Sequence, residues 1–156
     1  MKIKEYTPKE SVKRAKEYLK NHKRFDIKQI GEGRIFLGNY HAKYQDQVHD
    51  KHPLVLVLRY NSKHTLGLNL HWIPYTFRMK LVKFILDKNK NNILKRKPLN
   101  FKYKDLRPFL KNPAYRRCVR LYITGGFSKN GAMIPVEYLL DVARLNNAIF
   151  SHPVKI

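Results

Sequence analysis

The chain has one cysteine, Cys118, and only 11 acidic residues among 156. A lone cysteine cannot close an intramolecular disulfide, which excludes a disulfide-stapled scaffold and suits a reducing compartment. Neighbouring arginines can lower a thiol pKa, and Cys118 follows Arg117. With no histidine near it in sequence, burial as a small apolar residue is the expected role. Acids scattered singly do not build the carboxylate clusters of a metal-ion nuclease. No apolar run approaches the ~20 residues of a membrane helix, and Met1–Lys23 lacks the apolar centre of a signal peptide. The GxxxxGK[ST] and GxGxxG phosphate loops, the GxSxG elbow, HExxH and CxxC are all missing.

Positive charge is abundant. Thirty-three Lys and Arg give a formal net charge of +22. A compact body with that excess repels itself unless a polyanion supplies the counter-charge. Nucleic acid is the first expectation, ahead of an anionic membrane surface. Hydrophobic residues make up 43% of the chain, enough for one domain with a true core and against wholesale disorder.

The first expected element is a basic helix over residues 8–23. Thr7 is a suitable N-cap, Pro8 suits the first helical position, and Glu10 completes a capping box. Val12, Ala15 and Leu19 mark its apolar face. Lys9, Lys13, Lys16, Lys20 and Lys23 recur at helical spacing and form one stripe without an acid. A sheet core is expected over about 25–73. Phe25–Ile30 and Arg34–Tyr40 read as strands around a Gly31-Glu32-Gly33 turn, and His41–His52 as a polar loop. Leu54–Tyr60 reads as a buried central strand, and Thr65–Trp72 as an alternating, half-buried one. These last two make the strongest hairpin.

Pro74 opens a helix over 74–89. Phe77, Leu81, Phe84 and Ile85 are expected to face the core. Met79, Val82 and Leu86 form a second apolar side, expected at a subunit interface. Residues 90–104 read as a basic linker. The segment 105–156 reads as α/β: a turn of helix cut by Pro108, then Tyr115–Thr124 as a strand or as a helix followed by a strand. A short helix starting at Ile134–Glu137 and a closing strand near Ala148–Ser151 follow. The expected fold class is α+β, a small bent antiparallel sheet flanked by helices, with closure into an SH3-like barrel as one form of it.

Three groups of side chains are candidates for chemistry or binding. His49 and His52 with Asp46 and Asp50 lie in a polar loop without metal-site spacing, so no metal and no cofactor are expected. Asn69 and His71 share the strand face opposite the leucines, where backbone hydrogen bonding is the expected role. His71, His64 and Arg59 would serve a metal-free ribonuclease of toxin type, the enzymatic alternative. The basic groups remain: the helix stripe, Lys95-Arg96-Lys97, and Arg116-Arg117 with Arg120. Phe101, Tyr103, Tyr115 and Tyr122 are interleaved among them. No zinc finger, basic zipper or RRM signature is present, which points to backbone contact without sequence reading.

Gly33–Tyr40 (GRIFLGNY) and His52–Pro74 (HPLVLVLRYNSKHTLGLNLHWIP) resemble a tailed-phage virion family known as DNA end protector or head-completion proteins. Tyr115–Ile123 (YRRCVRLYI), Ile134–Leu140 (IPVEYLL) and Ala148–Val154 (AIFSHPV) fit the same pattern, while His41–Pro53 departs from it. The resemblance implies a bacteriophage structural protein of head, neck or tail, assembled in the host cytoplasm. It would contact packaged DNA and other virion proteins. Self-association is expected from the second apolar side of the 74–89 helix, and the missing acid/base pairs and apolar runs lead to the expectation of neither an enzyme nor a membrane protein. An RNA-binding, ribosome-associated type of module is the non-viral alternative.

Overall fold

The computed structural model describes residues 3–21, 33–38, 49–50, 53–95, 101–126, 132–134, 138–146 and 151–152. The fold is α+β. Helix α1 spans Pro8–Asn21, and strands β1, β2, β3 and β4 span Ile35–Leu37, His49–Asp50, Leu54–Tyr60 and His64–Asn69. A short 3-10 turn, Leu70–Trp72, leads to α2 (Tyr75–Lys88), α3 (Lys90–Leu94), α4 (Tyr103–Leu110) and α5 (Pro113–Arg116). Strands β5 (Val119–Ile123) and β6 (Ala132–Met133), helix α6 (Leu139–Ala143) and strand β7 (Ser151–His152) complete the described elements.

Five strands form one sheet in the order β5-β4-β3-β1-β6, every neighbouring pair antiparallel. Strand β3 occupies the centre, as a β-branched apolar run of strand length requires. Leu54 and Leu56, with Ile35, Leu37 and Leu68, join the helix residues Leu81, Val82, Ile85, Leu106 and Val142 in one core. On the other face Phe36, Val55, Val57, Thr65 and Tyr122 are buried as well. Gly67 sits in that second layer because a Cβ there would stand 2.3 Å from Val55 Cγ1. A register shift between Val57 and Arg59 bends β3 against β4. The sheet stays open, with β5 and β6 at its margins, so no SH3-like barrel forms among the described residues.

Strand β4 ends three residues earlier than its alternation suggests. Asn69 Oδ1 accepts from His71 N at 3.1 Å and turns the chain into the 3-10 segment. The ambiguous segment at Tyr115 resolves as helix followed by strand. Residues 90–104 are not simply a linker. Asn89, buried, caps the break after α2 through Nδ2 to Ile85 O at 2.9 Å, and α3 follows at once. The turn of helix near Pro108 is the longer α4, started by Asp105 Oδ2 accepting from Lys102 N at 2.9 Å. His49–Asp50, expected in a loop, pairs with Ser151–His152. Phe25–Ile30, Gly31–Glu32 and Ala148–Phe150 lie outside the described residues.

The second apolar side of α2, expected at a subunit interface, is covered in part by the chain itself. Val82 is fully buried, and Met79 and Leu86 are half-buried against the same core. Helix α6 packs on α2 from that direction, while the aromatic rings of α4 and α5 close on Phe77 and Phe84 from the other. Two neighbouring helix groups therefore bury an arc that one sheet could not cover. Lys80, Lys83 and Asp87 form the exposed strip.

Candidate nucleic-acid interface

Helix α1 starts where its sequence directs. Thr7 Oγ1 accepts from Glu10 N at 3.2 Å, while the Glu10 carboxylate turns instead to Arg14 at 3.3 Å. The inward face consists of Ser11, Ala15 and Tyr18, and Val12, expected inside, is 39% exposed. Three contacts fix this orientation. Ser11 Oγ accepts from Asn146 N at 2.9 Å, Tyr18 OH donates to Asp141, and Arg14 lies 3.5 Å from the same carboxylate.

That orientation decides where the lysines point. At 100° per residue, Lys9, Lys13, Lys16 and Lys20 centre roughly 160° from the Ser11–Ala15–Tyr18 face. All four are exposed. The stripe thus stands on the outermost line of the helix, where several ammonium groups can follow one phosphate chain together. Lys23 lies outside the described residues.

The other basic groups are placed separately. Arg116 and Arg117 are exposed at the end of α5, and Arg120 is exposed at the start of β5 with its guanidinium donating to the Arg117 carbonyl. Lys95 is exposed just after α3, and Arg96 and Lys97 lie outside the described residues. No described contact joins these groups to the α1 stripe. Of the interleaved aromatics, Phe101, Tyr115 and Tyr122 are buried, so their rings serve the core and not base stacking. Tyr103 is half-buried beneath Arg59, whose guanidinium lies 5.3 Å from the ring centre.

His71 is buried, with Nε2 3.3 Å from Val142 O. A general acid or base must reach its substrate, so His71 cannot serve the ribonuclease alternative; His64 and Arg59 are exposed. Cys118 is buried against Ala114 O, and burial pushes its thiol pKa up, with Arg120 and Arg78 opposing. That is the opposite of thiolate activation. Among the described residues no His, Cys, Asp and Glu cluster has the makings of a metal site; Asp46 and His52 lie outside them.

Two polar clusters escape sequence reasoning because their partners are distant along the chain. The first joins α1 to α6. Asp141 accepts from both Tyr6 OH and Tyr18 OH, and the Tyr6 ring lies between the guanidinium groups of Arg14 and Arg144, 4.2 and 4.1 Å from its centre. Burial and the Asp141 carboxylate both raise the phenol pKa values of Tyr6 and Tyr18. A cavity of about 180 Å³ opens beside them, lined by Arg14, Glu17, Tyr18, Asn21 and Asp141. The second cluster is Arg78, 1% exposed, which donates to the carbonyls of His71, Ile73, Ala143 and Leu145 at 2.7–3.3 Å. Burial lowers its pKa to about 10, so it stays charged at neutral pH.

Comparison of the chain with protein-family profiles, curated proteins and solved structures gives no match. Its fold and surface therefore carry the functional reading. No described helix is long and apolar enough to cross a membrane.

Proposed function

We propose that this protein is a non-enzymatic virion component of a tailed phage, binding packaged DNA through backbone phosphates and contacting neighbouring virion subunits. The observation that carries DNA contact is the row Lys9, Lys13, Lys16 and Lys20, exposed on the helix side farthest from the body. Spacing of one or two helical turns matches a ligand with regularly repeated charge, and no acid interrupts the row. The virion setting rests on the resemblance of His52–Pro74, most of which forms the β3–β4 hairpin at the sheet centre.

The test is a triple substitution, Lys13→Gln, Lys16→Gln and Lys20→Gln, which retains helix propensity. The expected outcome is an unchanged circular dichroism spectrum and weaker retardation of duplex DNA. The salt slope, log K against log salt, should shrink by up to about three units if each lysine neutralises a phosphate. Unchanged affinity and slope would reassign contact to Lys95-Arg96-Lys97 and Arg116-Arg117-Arg120. Purified protein should cut neither DNA nor RNA, and RNA cleavage without added metal would favour the ribonuclease reading.

A further inference from the structure

The helix layer leaves one corner of its own sheet face open. Register places Arg59, Leu66 and Leu121 side by side across β3, β4 and β5, with His64 and Ile123 as the next pair outward. The same face carries Leu56 and Leu68, which are fully buried. Cover then fails within one residue pair. Leu66 is half-buried, Leu121 is 65% exposed and Ile123 is 42% exposed. Leucine and isoleucine at i and i+2 of a strand point the same way, so their side chains form one continuous aliphatic step. A single exposed leucine needs no explanation, whereas an adjoining pair that extends a core layer into solvent offers continuous apolar area to a partner.

The border of this step is basic. Arg59 lies beside Leu66 on the same face and Lys63 sits in the adjoining turn, both exposed, whereas Arg120, paired with Gly67, belongs to the opposite face. No acid occurs between Asp50 and Asp87, or between Asp105 and Glu137, so neither the hairpin nor the α5–β5 segment contributes a negative charge. A second copy of the chain would bring the same cations to the same border. Nucleic acid would use the cations but gain little from aliphatic side chains, since bases stack on aromatic rings and guanidinium planes.

We propose that this corner, the Leu66–Leu121–Ile123 step with its Arg and Lys border, docks an acidic, extended segment of another protein that carries apolar residues at alternate positions. The segment's apolar side chains would cover Leu121 and Ile123 while its carboxylates meet the border. This surface is separate from the α1 stripe, so the protein would hold DNA and a protein partner at different places.

The probe is a fluorescent 12-residue peptide of alternating Glu and Val or Leu, compared with a 12-residue poly-glutamate and a short DNA duplex. Wild-type protein should bind the alternating peptide at least tenfold more tightly than poly-glutamate. The double variant Leu121→Thr/Ile123→Thr, which keeps β-propensity, should lose at least tenfold in peptide affinity and nothing in DNA affinity. In wild-type protein the methyl NMR signals of Leu121 and Ile123 should shift on peptide addition, a readout independent of the variant's folding. The proposal fails if wild-type protein does not bind the alternating peptide, or binds poly-glutamate equally. It fails equally if the double variant binds the peptide as before with unmoved methyl signals. A parallel loss of DNA affinity would make nucleic acid the occupant. A wild-type dimer in sedimentation, lost in the variant, would make it a second copy.

Discussion

Arg78 illustrates a buried cation without a carboxylate. Its guanidinium instead takes four main-chain carbonyls from two segments about seventy residues apart in sequence. A planar fork with five donors can serve all of them, and an ammonium on a flexible stem cannot. Arg78→Ala would leave those carbonyls without their donor inside the core. The expected loss is about 3 kcal/mol or more in urea unfolding, and Arg78→Lys should recover little of it. Asp105 offers a pH test at the same scale. Its ion pair with Lys88, then the Lys102 amide, holds its pKa below the ordinary carboxylate value. A depressed folded-state pKa contributes stability above the unfolded pKa that is lost as pH falls through the folded one. Stability should therefore fall below about pH 4, and Asp105→Asn should flatten part of that decline. The pair is partly exposed, so its worth at neutral pH is about 1 kcal/mol or less, read by denaturant midpoints along a pH series.

At the scale of elements, single substitutions separate the inner and outer faces of the helices. Val12→Asp on α1 should change stability by no more than about 0.5 kcal/mol, whereas Val82→Asp on α2 should abolish folding by burying an unpaired charge. Thermal melts of both variants check this. Gly33 tests a loop: its φ is +78°, and a Cβ would stand 2.2 Å from Phe101 O. Gly33→Ala should cost more than about 1 kcal/mol. Much of this scale is legible in sequence. The limits of β3 and the course of α2 follow from an unbroken apolar run and from Pro74. The face of α1 does not. Val12, Ala15 and Leu19 point to a seam rotated roughly 65° from the one formed by Ser11, Ala15 and Tyr18. Ser11 and Tyr18 are turned inward by Asn146 and Asp141, more than a hundred residues away. Polar residues look external until such partners are known. The burial of Val82 within the chain is hidden for the same reason, because α6, which packs on α2, lies far along the sequence. The lysine stripe was readable because it depends only on local periodicity.

For the molecule as a whole, charge excess sets opposite salt dependences. Net self-repulsion at +22 weakens as ions screen it. The melting temperature should then rise between low and moderate salt. Over the same range DNA affinity should fall, with a slope of about −5 to −9 for six to ten phosphate contacts. Melting curves and anisotropy titrations along one salt series test both. Bound DNA should also raise the melting temperature most where salt is lowest, through linkage of binding to the folded state. A flat affinity would assign the charge to an acidic protein partner. The joint at Arg78 has a practical consequence for such a molecule. Small proteins commonly clamp distant segments with a cystine bridge or a coordinated zinc ion, and both clamps answer to their surroundings: one opens to thiols, the other to chelators. A guanidinium held by main-chain oxygens answers to neither, so that joint should keep the same strength in dithiothreitol or EDTA, inside a cell or outside it.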